Sequence, residues 1–207
     1  MGDDGDDAVR RFEQSMIMDF DSWHDGTGYD LDAVASATPD ERERITSLLL
    51  QRDVTDWRDV EALAALDLPE ADQRLKRALR RGSLSLRMSI LRHAPRLFTE
   101  RQRTKLIVEG IERASIGEAL TPTLFEVEEF HPAPIVEALL RGTLARTGEV
   151  AVNLAGMVAF VHGATKESFD WDQRPLFLRF NTDDDAERQD AFRDLCALCK
   201  IDPVPYL

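Results

Sequence analysis

The sequence predicts an all-α protein built from stacked helix pairs. Three observations carry that prediction. Apolar residues recur at three- and four-residue spacing along most of the chain, the joints between periodic stretches carry helix caps, and the joints themselves recur every 33 residues. The 207 residues are 43% hydrophobic and 31% charged, a composition that supports a packed core and excludes disordered and fibrous classes.

In order, residues 1–7 read as a disordered acidic tail, Val9 to Phe20 as a first helix and Asp21 to Asp30 as a loop. Thr38-Pro-Asp-Glu41 puts a capping hydroxyl, a proline and a glutamate where a helix begins, so a helix runs from there to about Gln51; residues 8–55 form an N-terminal helical cap. Trp57 to Leu66 follows, with Val60, Leu63 and Ala64 on one stripe. Pro69 opens a helix whose apolar face is Ala71, Leu75, Ala78 and Leu79, and Gly82 stops it. Ser83 to Ala94 is ended by Pro95, and Thr99-Glu-Arg-Gln102 caps a helix to about Arg113. Ser115-Ile-Gly-Glu118 begins another, with an interruption expected near Pro122. His131-Pro-Ala-Pro134 turns the chain into Ile135 to Ala145, and Gly148 leads into the nearly all-apolar Val150 to Val161, stopped at Gly163. Beyond it, residues 168–181 hold four of the fifteen aromatic residues and lack helical spacing. With Pro175 inside, that stretch reads as extended and packed. Thr182-Asp-Asp-Asp185 starts a terminal helix to about Lys200.

The 33-residue offset aligns Gly82, Ser115 and Gly148. It also aligns Ala78, Ile111 and Leu144, then Arg80, Arg113 and Arg146, and three further columns. Such a period with two helices per unit belongs to stacked helical repeats, because one pair cannot bury its apolar face until a neighbour covers it. The segment from Pro69 to Leu91, a helix, a short turn and a second helix with Arg87 near its start, resembles a HEAT-like repeat. The resemblance spans about residues 56–163, though Leu120 and Asn153 stand where Arg87 would recur. It implies a short right-handed stack of antiparallel helix pairs, capped by residues 164–207 within one compact domain of residues 8–207, and a concave surface that holds a protein or peptide.

Function is carried by charge more than by motif. The formal net charge is −13, which argues against a general nucleic-acid binder. The charge is layered: residues 1–69 carry 6 basic and 18 acidic groups, residues 70–105 carry 11 and 3, residues 106–140 carry 1 and 7, and residues 141–207 carry 8 and 11. Within the positive layer Arg74, Arg77 and Arg81 share a helix face, with Arg87 on the next helix. Guanidinium groups in such an array suit carboxylate or phosphate recognition. Glu126, Glu128 and Glu129 form an opposite patch for a basic partner, and Trp171 in the aromatic stretch is a candidate interface anchor.

Catalytic signatures are lacking: there is no nucleophile elbow, phosphate loop, dinucleotide fingerprint or paired metal-binding histidines, so no catalytic residue, metal or cofactor is expected. Asp21 to Asp32 has the length of a calcium loop with Gly26 sixth. Trp23 stands at its third position and Asp32 at its twelfth, so a polar loop is preferred. Cys196 and Cys199 read as reduced, semi-buried thiols. With an acidic start and no run of about 18 apolar residues, the chain is expected to be cytoplasmic. The leading expectation is a non-catalytic protein-binding module, either an adaptor or a toxin-neutralising immunity protein. The alternatives are a hydrolase or lyase on the same scaffold, or a nucleic-acid-binding repeat protein.

Overall fold

The computed structural model describes residues 7–20 and 24–207. Among these the protein is all-α, with twelve α-helices and no strand. Its contacts divide it into two compact units, Met1–Leu97 and Phe98–Leu207, a boundary inside the stretch read as repeats.

In the first unit α1 (Asp7–Ser15) and the short α2 (Leu31–Ser36) pack together, and α1 also lies on α3 (Pro39–Gln51). Helix α1 stops five residues before the expected Phe20. The Ser15 hydroxyl donates to the Phe12 carbonyl (2.6 Å) and Ile17 N to Gln14 O (3.1 Å), a tightened final turn from which no helix continues. The Thr38 capping box forms as expected: its hydroxyl accepts from Glu41 N while the Glu41 carboxylate accepts from Thr38 N (2.9 Å). That carboxylate also accepts from Ala8 N (3.2 Å), tying α1 to α3. The hydrogen bonds from Thr38, and then the one from Ala8, hold Glu41 below the usual carboxylate range.

Helices α4 (Trp57–Leu66), α5 (Pro69–Arg81) and α6 (Leu84–His93) complete this unit, with a short 3₁₀ turn at Pro95–Leu97. Helix α3 packs on α5, and α4 packs on α6. Ile45, Val60, Leu63, Leu75, Met88 and Ile90 fill the interior. Each such side chain contributes about 1.5–3 kcal/mol when withdrawn from water. Gly82 does stop α5, but by close approach rather than by a left-handed turn. Its φ is −72°, and an added Cβ would sit 2.8 Å from both Ala78 O and Leu86 Cδ2. Tyr29 is buried and donates to Asp59 (2.8 Å). Burial, and then that carboxylate, push the phenol up to about 12.

The second unit repeats the arrangement: α7 (Glu100–Arg113) packs on α9 (Ala133–Ala145), and α8 (Leu120–Glu129) on α10 (Gly148–Val161). In both units, first helices meet first helices and second helices meet second helices. The starts of the first helices, at residues 39, 69, 100 and 133, carry this order back into the segment read as an N-terminal cap. Helix α10 is buried nearly all round because α8, α9, α11 (Arg174–Leu178) and α12 (Asp185–Cys199) surround it, which accounts for its almost unbroken apolar sequence. Gly163 ends it at φ +69°, with Gly163 N bonded to Phe160 O (2.8 Å) and Ala164 N to Ala159 O (2.9 Å).

Two local expectations are corrected. Ser115 to Glu118 is a closed turn rather than a helix start: Ser115 N donates to Glu118 O (3.1 Å) and Glu118 N to Ser115 O (3.0 Å), with Gly117 at φ +82°. Helix α8 therefore starts at Leu120, so Pro122 falls in its first turn, where an amide proton would have no intrahelical partner, and interrupts nothing. Pro175 likewise lies in the first turn of α11, so part of the stretch read as extended is a helix that Pro175 helps to start.

Arginines bind these layers at helix C-termini. Arg74 donates to the Arg52 carbonyl beyond α3, and Arg188 to Leu144 O near the end of α9 (2.9 Å). Arg146 reaches three carbonyls at the end of α7: Ile111 (3.1 Å), Glu112 (2.6 Å) and Ala114 (2.6 Å). The last carbonyls of a helix lack intrahelical donors and carry its partial negative charge, so a forked cation satisfies both deficits.

Candidate functional site

The arginine layer divides once the chain is folded. Helix α5 buries Ala71 and Leu75 and turns its opposite face outward. There Arg77 and Arg81 are exposed as expected, and they are joined by Lys76 and Arg80, which share the same turns. These four cations form no ion pair with any described residue. Periodicity alone could have found the two additions, since Arg80 lies three residues after Arg77 and four after Lys76. Arg80 and Arg81, in the last turn of α5, lie against the negative end of the helix, which favours each by about 0.3–1 kcal/mol.

Arg74 departs from this face. Half-buried, it turns back to the Arg52 carbonyl and acts as a cap for α3. Arg87 is half-buried on α6. Arg96, another member of the basic layer, is held by Asp72 (2.7 Å) and Asp67 (3.7 Å).

The three glutamates of α8 also separate. Glu126 was expected at a solvent-facing patch, yet it is 3% exposed and paired with Arg103 (2.9 Å), whose guanidinium lies 4.5 Å from the Phe130 ring centre. Helix phase puts Glu126 one turn beyond buried Thr123 and beside buried Val127, hence inward. Glu128 accepts from the Ser168 hydroxyl, fastening the aromatic stretch to α8. Glu129 remains exposed, as does Phe125 one turn before it.

Trp171 is 71% exposed. Its ring meets Phe169 edge to face at 5.9 Å, and Arg174 lies 4.7 Å from the Trp171 centroid and 5.0 Å from that of Phe169. Phe177 and Phe180, from the same stretch, are buried. The stretch is thus half core and half surface: Phe177 packs beside Gly156 of α10, while Trp171 faces outward.

The histidines occupy separate places. His24 lies 3.0 Å from Asp25 on the surface, and His93 lies 3.9 Å from Glu61. His131 and His162 each hydrogen-bond the carbonyl four residues before them, Val127 (2.8 Å) and Val158 (2.9 Å), at the ends of α8 and α10. A groove of about 710 Å³ between α1 and α3 has Glu13, Asp40, Glu43 and Arg44 among its described lining residues and no histidine. No group of three or more His, Cys, Asp or Glu side chains among the described residues is arranged to hold a metal ion. In the loop of calcium-binding length, Asp21 to Trp23 lie outside the described residues. The Asp30 carboxylate caps α2 through Ala33 N (2.8 Å) and pairs with Arg11 (2.9 Å). Cys196 is buried and Cys199 half-buried, both as free thiols. Burial pushes Cys196 up to about 11 and Cys199 up to about 12, far from the thiolate form that reacts.

No family model, curated protein or solved structure matches the chain. Its chemistry is therefore read from its own surfaces. An exposed, locally unpaired cation face on α5 can hold carboxylates or other anionic oxygens, whereas the buried ion pair and the inert thiols serve the fold. No helix among the described residues is long and apolar enough to cross a membrane.

Proposed function

We propose that the protein is a non-catalytic, cytoplasmic helical-repeat module of the HEAT-like kind that binds another protein or peptide, as an adaptor or as an immunity protein that neutralises a toxin. The observation that carries this reading is the face of Lys76, Arg77, Arg80 and Arg81, four exposed cations with no ion-pair partner among the described residues. Surrounding acidity keeps the chain soluble and repels polyanions at long range, while the face itself offers forked donors to carboxylates on a partner. Packing of first helices on first and second helices on second within each unit supports the stacked-repeat reading.

The test is affinity capture from the native host with the wild-type chain and with Arg77→Glu/Arg81→Glu. A stoichiometric protein partner retained by the wild type and lost by the variant is expected. Recovery of a bound small molecule without any stoichiometric macromolecule would refute the reading. Retention of nucleic acid whose binding falls steeply between about 50 and 200 mM salt would replace it with the nucleic-acid alternative.

A further inference from the structure

A second exposed surface lies in the other unit and does not involve α5. Ser168 bonds to Glu128, so the stretch that follows α10 crosses the exposed edge of α8. Phe125 lies one helical turn before Glu128 on that edge and is 51% exposed; Phe169 and Trp171 stand on the crossing stretch. Phe169 and Trp171, in contact with each other and 44% and 71% exposed, form an apolar patch on that stretch.

Three features fix the placement of this patch. The turn after Trp171 is held by the Asp170 carboxylate, which accepts from Asp172 N (2.9 Å) and Gln173 N (3.1 Å). The stretch is seated on Gly156 of α10, where only a hydrogen allows Ser168 O to approach; an added Cβ would lie 2.5 Å from that oxygen. Arg174 lies against both rings. The aromatic pair is therefore presented on an anchored loop, with little side-chain freedom left to lose on binding.

Charge selects the occupant. Glu167 and Asp172 are exposed within two residues of the rings along the chain, and Asp170 lies half-buried between the two aromatics, with Lys166 and Arg174 as the cations of the same stretch. Arg174 demonstrates that the ring pair accepts a guanidinium, and the open part of the indole leaves room for another. We propose that Phe169 and Trp171, rimmed by Glu167 and Asp172, dock an arginine- or lysine-bearing segment of a partner protein. A partner cation stacks on the indole while a neighbouring one meets the carboxylates. Phosphate-bearing ligands are repelled by the same rim.

The experiment pans a random peptide library on the full-length chain at about 150 mM salt. Synthetic copies of the selected peptides are then titrated by fluorescence anisotropy against the wild type and single variants. Selected peptides are expected to be enriched in Arg or Lys next to an apolar residue. Their Kd should weaken about tenfold or more with Trp171→Ala, weaken less with Trp171→Phe, weaken with Asp172→Lys, and stay unchanged with Arg77→Glu/Arg81→Glu. Far-UV circular dichroism of Trp171→Phe and Asp172→Lys separates lost binding from lost folding. Neutral or acidic selected peptides, an unchanged Kd with Trp171→Ala, preferential uptake of a labelled thymidine oligonucleotide, or recovery of no peptide would each overturn the proposal. The arginine variant keeps this result separable from that of the α5 face.

Discussion

Gly110 of α7 packs directly on Thr123 of α8, and substituting both should show how tightly that contact is specified. An alanine Cβ at position 110 would lie 2.4 Å from Thr123 Oγ1, 2.6 Å from its Cγ2 and 3.1 Å from its Cβ. Both branches of the threonine obstruct it, so rotation about χ1 exchanges one clash for the other. Thr123 is fully buried and its hydroxyl donates to Ala119 O (2.6 Å), which leaves the helices to move apart. Overpacking of this kind costs about 1–3 kcal/mol, and both branches together place it near the upper end. Exchanging glycine for alanine within a helix returns about 1 kcal/mol. Gly110→Ala should therefore destabilise the protein by about 1–2 kcal/mol. In a Thr123→Ala background only the 3.1 Å contact remains, and the same substitution should be neutral or stabilising by up to about 1 kcal/mol. Urea unfolding of the four proteins, followed by circular dichroism at 222 nm, gives the coupling as a double-mutant cycle, expected to be about 1–3 kcal/mol. An equal cost for Gly110→Ala in both backgrounds would refute the close-contact reasoning.

Two further outcomes follow from the same physics. The chain has two tyrosines, both with raised phenol pKa values, Tyr29 reaching about 12. The folded state holds these protons more tightly than the unfolded state, so the Tyr29 contribution is complete below pH about 10 and lost as pH rises toward 12, about 2–3 kcal/mol in all. Absorbance at 295 nm in native protein should lag behind that of urea-unfolded protein across this window, and coincident titration curves would contradict the burial assigned to Tyr29. Separately, Arg146→Lys keeps the charge but cannot span three carbonyls. It should cost about 2 kcal/mol and lower the Tm by about 4–8 °C; an unchanged Tm would show that the charge alone suffices.

Much of the fold is legible in the sequence because its helices announce their own ends. Thr38 with Glu41 and Thr99 with Gln102 are reciprocal caps that form as written, and Gly163 closes α10 with the bonds its position implies. What sequence misses has local physical causes. Helix α2 has only six residues, too few to display a period, and Pro122 and Pro175 look like breakers until the helix start beside each is known. The surface was less legible for a different reason. Glu126 and Glu129, three residues apart, lie only about 60° from each other around α8, yet Glu126 is buried in its pair with Arg103 and Glu129 is exposed. Arg74 and Arg77 share a stripe by spacing, yet a side chain as long as arginine can turn away to the end of another helix, and no spacing rule reports that.

The carbonyl-capping arginines bear on how the protein can be handled chemically. The chain holds 22 arginines and only four lysines, Lys76, Lys105, Lys166 and Lys200. Contacts that join one helix end to the next are guanidinium contacts, so reagents that acylate amines leave them intact, whereas dicarbonyl reagents that condense with guanidinium groups attack them. Amine coupling carries its own hazard, because Lys76 stands among the exposed cations of α5. Immobilising the protein through its lysines would preserve the helices while obstructing the face assigned to partner binding, so a tag at a chain end is the attachment that leaves both intact.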